Sequence, residues 1–180
     1  MKNRLLLLSD LWGFTDARWV RHYALQLQKD FDLVLYDVCE LAGITKQVAS
    51  QEERHRFFVD GGIEIAVTKL LELEKKPVSV LAFSVGGVIA WKFALRCTVV
   101  QNLVCVSSSR LRYEQNKPDT RFFLYYGALD AFISKATFFK YLAISYQIIH
   151  HAAHEMYRQK LVAATVCARL SEMSLEKGTS

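Results

Sequence analysis

The chain has 180 residues, of which 52% are hydrophobic and 23% are charged, and its formal net charge is +5. These values fit one domain with a single core and exclude a disordered chain. No apolar run reaches the roughly 18 residues of a membrane-spanning helix, and the charge permits an acidic partner without indicating nucleic acid or membrane. The scattered cysteines predict no metal site and a reducing, cytoplasmic location.

Short β-rich runs alternate with helical patterns along the chain. The β-rich runs are apolar at consecutive positions, which is typical of strands covered on both faces. Six strands are predicted, at residues 4–8, 32–36, 78–83, 102–106, 121–126 and 147–150. Their alternation with helices predicts a three-layer, doubly wound and mostly parallel sheet. We expect one domain over residues 1–170 and a frayed polar tail over 171–180.

Helical spacing of apolar residues occupies the connections between these strands. Thr15 or Asp16 is predicted to cap the first helix. The pattern over 51–74 contains Gly61-Gly62, which predicts a kink or a break there. Its apolar face comprises Phe58, Ile65, Ala66, Leu70 and Leu73. Further helices are predicted over 88–95, 134–142 and 155–170.

Ser84 lies where the third β-rich run meets a helical one, and this junction is the most informative feature of the sequence. Gly86-Gly87 follows Ser84 closely, and Ala82 stands where the Gly-x-Ser-x-Gly pattern has its first glycine. That pattern is typical of a nucleophile elbow, a tight strand-to-helix turn that lifts a serine oxygen above the sheet. The alternative is a helix start whose backbone N–H groups bind an anion.

Two further residues with catalytic chemistry follow later strands. Asp130 comes just after the fifth predicted strand, and His154 comes after the sixth. In a parallel sheet these positions share one edge with Ser84, and the order Ser, Asp, His is the order of α/β-hydrolases. A histidine activates a serine hydroxyl, and a carboxylate orients the histidine. We therefore predict a catalytic triad of Ser84, Asp130 and His154.

Each of these assignments has an alternative. Asp130 could instead cap the next helix or close a turn. His150 and His151 compete with His154 as the base, but both are predicted to lie at the strand end, whereas the base is expected in the loop beyond it.

Acyl transfer also needs hydrogen-bond donors for the oxyanion. The backbone N–H of Val85, at the start of the helix after Ser84, is one predicted donor. The second is expected in the loop after the first strand, where we select the N–H of Trp12, with Leu11 as the alternative. The ring of Trp12 is also a candidate wall of the substrate pocket.

These residues resemble a family of α/β-hydrolases that includes the pimeloyl-[acyl-carrier protein] methyl ester esterases of biotin synthesis. The resemblance covers nearly the whole chain. It rests on five short stretches, Leu-Trp-Gly-Phe from Leu11, Phe-Ser-Val-Gly-Gly from Phe83, Leu-Val-Cys-Val-Ser-Ser-Ser from Leu103, Gly-Ala-Leu-Asp from Gly127 and Ala-Ala-His from Ala152. It implies the same triad and oxyanion donors, an α/β-hydrolase fold, no cofactor, and an ester substrate that an acyl-carrier protein could carry.

The chain also departs from that family. Asp10-Leu11 stands where the family has His-Gly, which leaves the conformation of the loop open. The segment over 107–121 is too short for the family's helical cap, and the two leading strands are missing, so a minimal α/β-hydrolase without a cap domain is predicted. The short segment carries Arg110, Arg112 and Lys117, which form either a basic rim that steers an acidic carrier protein or a solvated face. Arg110 and Arg112 are also candidate substrate-binding residues.

The sequence thus predicts a cytoplasmic serine hydrolase that cleaves a carboxylic ester through an acyl-enzyme. A small-molecule ester and a methyl ester on acyl-carrier protein are both candidate substrates. Acyl thioester hydrolysis uses the same residues and is the nearest alternative. A binding module without catalysis is another; the complete triad argues against it, and the altered oxyanion loop argues for it.

Overall fold

The computed structural model describes residues 2–44, 50–133 and 136–175. All six predicted strands are present, each within two residues of its predicted bounds. They are β1 (Asn3–Leu8), β2 (Phe31–Tyr36), β3 (Val78–Phe83), β4 (Val100–Val106), β5 (Arg121–Gly127) and β6 (Tyr146–Ile149).

The six strands form one sheet in the order β2-β1-β3-β4-β5-β6. Every neighbouring pair is parallel, so the sheet is wholly parallel where the sequence predicted a mostly parallel one. The chain winds in one direction from β1 to β2 and in the other from β3 onward. The reversal lies between β1 and β3, which is where ligands bind in sheets of this kind.

Helices cover both faces of the sheet and fill the connections between strands. Their bounds are α1 (Arg21–Leu27), α2 (Val38–Leu41), α3 (Gln51–Phe57), α4 (Ile63–Leu73), α5 (Val85–Leu95), α6 (Ala136–Tyr141) and α7 (Lys160–Leu175). Short 3-10 helices lie over Arg18–Val20, Ser109–Tyr113 and His154–Arg158. The predicted break between α3 and α4 is confirmed, because Gly61 has a φ of 131° inside the wide turn Phe58–Gly62.

The core has two parts, one on each face of the sheet. Leu5 and Leu7 of β1 point to the face covered by α1 and α7. Leu6 and Leu8 point to the other face, where α2, α4, α5 and α6 pack. Burial on both faces explains why the strands are apolar at consecutive positions. The predicted three-layer, doubly wound architecture is therefore confirmed.

Several local predictions differ from the structure. Neither Thr15 nor Asp16 caps the first helical segment, which follows Ala17 without a side-chain cap. Ile65 and Leu73 are about half exposed, because the buried side of α4 is formed by Ile63, Ala66, Val67 and Leu70.

The ends of the last two helices also differ from prediction. The described part of α6 begins at Ala136, and the predicted start at Ser134 lies outside the described residues. Helix α7 continues to Leu175, beyond the predicted boundary at 170, because Met173 is buried on the core side of that extension. Of the predicted tail, residues 176–180 lie outside the described residues.

No cap domain covers the carboxyl edge of the sheet between β4 and β5. The connection there contains the single 3-10 helix Ser109–Tyr113 and an extended stretch. The indole N–H of Trp91 donates a hydrogen bond of 2.9 Å to the carbonyl of Asn116, which holds this stretch against α5. None of the described helices combines the length and the apolarity needed to cross a membrane.

Candidate active site

The carboxyl edge of the sheet concentrates both polar side chains and unusual backbone conformations. Among the described residues other than glycine, Ser84, Ser107, Ala143 and His151 have positive φ. The first two directly follow β3 and β4, and His151 follows β6 by two residues. Such conformations cost about 1–3 kcal/mol each and persist where the surrounding structure enforces them. The strain therefore marks this edge as a candidate site.

Ser84 occupies the turn between β3 and α5 with φ of 51° and ψ of −119°. Its backbone N–H donates a hydrogen bond of 2.9 Å to the carbonyl of Val106 at the end of β4. The side chain is half-buried at the reversal point of the sheet. The structure thus places Ser84 in the sharp turn that the sequence predicted.

Close packing on both sides of the turn explains the two glycines after Ser84. A Cβ on Gly86 would lie 2.3 Å from the carbonyl oxygen of Ser9, which follows β1. A Cβ on Gly87 would lie 1.8 Å from the Oγ of Ser108, which follows β4. Helix α5 can therefore begin between these two loops only if both positions lack a side chain.

The structure brings the three predicted catalytic side chains into one chain of contacts. The Oγ of Ser84 lies 2.9 Å from the Nε2 of His154. The Nδ1 of His154 lies 2.8 Å from the Oδ2 of Asp130. Because a carboxylate can only accept, the Nδ1–H of His154 donates to Asp130, and the Nε2 of a neutral ring is left as acceptor for the Ser84 hydroxyl.

Backbone contacts between the loops after β5 and β6 hold the acid beside the histidine. The N–H of Leu129 donates to the carbonyl of Ala152 over 2.9 Å. A Cβ on Gly127 would lie 2.2 Å from that same carbonyl oxygen, so the two loops touch directly. Asp130 and His154 therefore meet because the loops that carry them are packed together.

The Asp130 carboxylate is buried, with 3% of its surface exposed. Burial alone would raise its pKa, but hydrogen bonds from His154 and from the Phe132 N–H outweigh this effect and lower the pKa below its ordinary value. The bond from Phe132, at 2.9 Å, also closes a turn. Asp130 therefore has the turn-closing role that the sequence offered as an alternative, together with the contact to His154.

The other two histidines considered as bases lie elsewhere. His150 and His151 are exposed and sit in the turn after β6, whereas His154 begins the next 3-10 helix and is half-buried. Among the described contacts, only the ring of His154 reaches Ser84.

The loop after β1 differs from the prediction for Trp12. Its backbone N–H donates a hydrogen bond of 2.9 Å to the Oδ1 of Asp10, so this donor is already occupied. The N–H of Leu11, the predicted alternative, has no hydrogen-bond partner within the described chain, and neither does the N–H of Val85. Asp10 redirects the Trp12 N–H because its short side chain closes a local turn.

Asp10 itself is a site residue whose role sequence reasoning missed. Its carboxylate is 1% exposed. Besides the Trp12 N–H, it accepts hydrogen bonds from the Tyr157 hydroxyl at 2.9 Å and from Arg158 at 3.4 Å. Burial raises its pKa, although these three donors lower it in part. The available signal was its place at the carboxyl end of β1, but its partners lie 147 and 148 residues away in the sequence.

A cleft of about 680 Å³ opens beside this loop. Its walls include Asp10, Trp12, Trp19, Arg54, Glu155 and Arg158. The Trp12 ring is 41% exposed, and the Arg54 guanidinium lies 5.4 Å from its centroid. Ser84 and His154 do not line the cleft, and the lining residue nearest to them in sequence is Glu155, which directly follows His154. Within the described residues, no cluster of His, Cys, Asp or Glu side chains is arranged to hold a metal ion.

The predicted substrate-binding arginines lie on the 3-10 helix after β4. Arg112 donates to the carbonyls of Ser109 at 2.9 Å and Phe132 at 3.2 Å, and its charge contributes to the lowered pKa of Asp130. Arg110 is half-buried and lies over the Tyr113 ring. Arg112 therefore connects this 3-10 helix to the loop that contains Asp130. Among the described contacts, Arg110 makes no such connection.

Comparison with protein-family models finds no match for this chain. Comparison with curated proteins likewise finds none.

Solved structures do share its architecture. An alpha-beta serine hydrolase homologue from Coxiella burnetii has a TM-score of 0.67 and 16% identity, with 94% of this chain and 86% of that chain covered. A carboxylesterase from Bacillus subtilis has a TM-score of 0.63 and 11% identity, with coverage of 96% and 83%. A structure from work on carboxylesterases of Nitrososphaera gargenis has a TM-score of 0.69 and 11% identity, with coverage of 98% and 92%.

These similarities extend over nearly the full length of each chain, at identities too low to carry more than the fold. The chain has the α/β-hydrolase fold, in a form whose described residues contain six parallel strands and no cap domain.

The contact between Asp130 and His154 predicts a pH-dependent difference in stability. Because folding lowers the pKa of Asp130, its ionised form stabilises the fold above the unfolded value of 3.8, and this contribution is lost as the pH falls further, through the folded pKa. Asp130→Asn should therefore reduce the free energy of unfolding by about 1.5–3 kcal/mol near neutral pH. The difference from wild type should shrink between pH 4 and pH 2, measured by urea unfolding.

The matched control is Asp32→Asn, which removes an exposed carboxylate on β2. A difference between wild type and Asp130→Asn that stays constant over the whole pH range would show that the fold does not favour the ionised carboxylate.

Proposed function

We propose that this protein is a serine hydrolase that cleaves a carboxylic ester through an acyl-enzyme. The observation that supports this most directly is the chain of two contacts, 2.9 Å from Ser84 to His154 and 2.8 Å from His154 to Asp130. A serine that is merely exposed or that caps a helix does not require a histidine in contact with its hydroxyl, or a buried carboxylate in contact with that histidine.

In the proposed reaction, His154 Nε2 takes the proton of the Ser84 hydroxyl while Oγ forms a bond to the ester carbonyl carbon. The tetrahedral intermediate then breaks its bond to the alcohol oxygen, and His154 returns the proton to that oxygen. Water attacks the acyl-enzyme by the same route, which releases the carboxylic acid and restores Ser84. Asp130 fixes the ring of His154 and stabilises its cation in both halves.

The oxyanion needs two donors, and we assign them to the backbone N–H groups of Val85 and Leu11. Val85 is the first residue of α5, where N–H groups lack partners within the helix. Leu11 replaces the predicted Trp12, whose N–H is bound to Asp10. The Trp12 ring lines the cleft, which supports the proposal that it forms a wall of the substrate pocket.

The proposed substrate class is based on the cleft and on the similar solved structures. A volume of about 680 Å³ suits a ligand of moderate size, and its mixed apolar and charged walls suit a chain with polar ends. Two of the similar solved structures are named as carboxylesterases. We therefore place carboxylic esters first, and thioesters, which would react through the same groups, second.

This proposal predicts that a fluorophosphonate probe, which reacts only with activated serines, labels the wild-type protein. Ser84→Ala should abolish labelling and lower the turnover of p-nitrophenyl acetate by at least about 10³-fold. His154→Ala should have a similarly severe effect, because the hydroxyl loses its base. The measurements are labelling followed by mass spectrometry and steady-state ester hydrolysis.

The controls are the neighbouring histidines. His150→Ala and His151→Asn should retain most of the activity, and asparagine is chosen at position 151 because it tolerates the φ of 57° there. A wild-type protein that the probe leaves unlabelled would reject hydrolysis in favour of a binding module without catalysis.

We further propose that the ester is presented by an acidic carrier, as in methyl esters of acyl chains on acyl-carrier protein in biotin synthesis. Two observations support it. The edge of the sheet lacks a cap, which leaves room for a large partner, and the segment between β4 and β5 carries the half-buried Arg110 and the exposed Lys117. Exposed positive charge steers acidic partners to a site.

Reversing this charge should separate carrier-linked from free substrates. Arg110→Glu with Lys117→Glu should raise KM about 3- to 10-fold for a methyl ester on acyl-carrier protein and leave a small neutral ester unaffected. The effect should fade above 0.15 M salt, where charges further apart than about 8 Å are screened. Arg112 is left unchanged, because it also holds the loop of Asp130.

The matched control is Lys29→Glu with Lys76→Glu, which makes the same change in net charge at exposed positions before β2 and β3, on the opposite edge of the sheet. Equal effects of both double variants on the carrier-linked ester would overturn the carrier proposal and leave ester hydrolysis intact.

A further inference from the structure

Asp10 connects two parts of the site that are far apart in the sequence. Its Oδ1 accepts the N–H of Trp12, two residues along the same loop. Its Oδ2 accepts the Tyr157 hydroxyl at 2.9 Å and contacts Arg158 at 3.4 Å. Both of these partners lie on the 3-10 helix that begins with His154. One buried carboxylate thus joins the loop after β1 to the segment of the histidine.

The main chain around Asp10 is fixed as well. The carbonyl of Asp10 accepts the N–H of Gly13 at 3.2 Å and the hydroxyl of Ser9 at 3.2 Å. These contacts engage the N–H groups of Trp12 and Gly13, whereas the N–H of Leu11 has no partner among the described residues. The conformation of Asp10 therefore determines which N–H of the loop is available.

We propose that Asp10 is a positioning residue, which fixes the Leu11 N–H and the His154 ring relative to each other through Trp12 and Tyr157. The inference rests on the proposed serine hydrolase function. Asp10 touches neither Ser84 nor His154, so it acts through its neighbours. A donor and a base that must both face one tetrahedral intermediate need a fixed separation, and displacements near 1 Å cost about 10²-fold in rate.

Ionisation of Asp10 does not add to the stability of the fold. Burial raises the pKa of Asp10, so folding disfavours its ionised form. That cost is fully present above the raised pKa and disappears as the pH falls below 3.8.

The experiment compares Asp10→Asn and Tyr157→Phe with wild type. An asparagine offers one oxygen, so it keeps the bond from Trp12 but faces Tyr157 and Arg158 with an amide NH₂. Phenylalanine removes only the hydroxyl that reaches Asp10. We expect both variants to react with a fluorophosphonate about 10- to 100-fold more slowly and to lower kcat for p-nitrophenyl acetate with little change in KM. Both should remain folded by circular dichroism.

Two comparisons make the test specific. Tyr36→Phe removes a similar tyrosine–carboxylate bond, from Tyr36 to Glu74 at 2.6 Å, and should label at the wild-type rate. The double variant Asp10→Asn/Tyr157→Phe should be no slower than the slower single variant, because both changes break the same link.

The inference is overturned if Asp10→Asn and Tyr157→Phe label at the wild-type rate, if their effects are additive, or if labelling falls only in proportion to the folded fraction. Failure of the wild-type protein itself to label would instead reject the proposed hydrolase function. The two failures are therefore distinguishable in one set of measurements.

Discussion

The parallel direction of all six strands is the constraint on which the site depends. Because every strand ends at the same edge, residues that follow β3, β5 and β6 emerge side by side, although 70 residues separate Ser84 from His154. The strand order then places the reversal of winding between β1 and β3, so that the turn of Ser84 and the loop of Asp10 follow neighbouring strands at one edge. The side chains of the site are close in space because all the strands are parallel and end at the same edge of the sheet.

Close backbone contact makes this arrangement rigid. Helix α5 begins in contact with the loops after β1 and β4, and the loops after β5 and β6 touch at Gly127 and Ala152. Each loop of the site is therefore held by another loop rather than by its own strand alone. Positive φ at Ser84 is maintained by this packing, since a freely placed serine would relax to negative φ.

Two buried carboxylates at this edge have opposite electrostatic character. Donors from His154 and Phe132 lower the pKa of Asp130, whereas the donors around Asp10 do not overcome its burial, and its pKa is raised. Environments that shift the pKa values of similar groups in opposite directions are typical of catalytic sites, where each carboxylate has its own role. Here one carboxylate contacts the histidine directly, and the other contacts the segment and the loop beside it.

The sequence by itself determined the six strands, the break near Gly61 and the residues that meet at Ser84. These features rest on local signals, namely consecutive apolar residues, a glycine pair and polar residues just after strands, which the parallel topology converts into proximity. Only the tertiary structure decided that Asp10 takes the N–H of Trp12 and binds Tyr157, and that α7 extends to Leu175 over a buried Met173. The physical reason is that such contacts depend on which side chains approach each other across the fold. Asp10 and Tyr157 are 147 residues apart, and a contact over that separation produces no periodic pattern in the sequence.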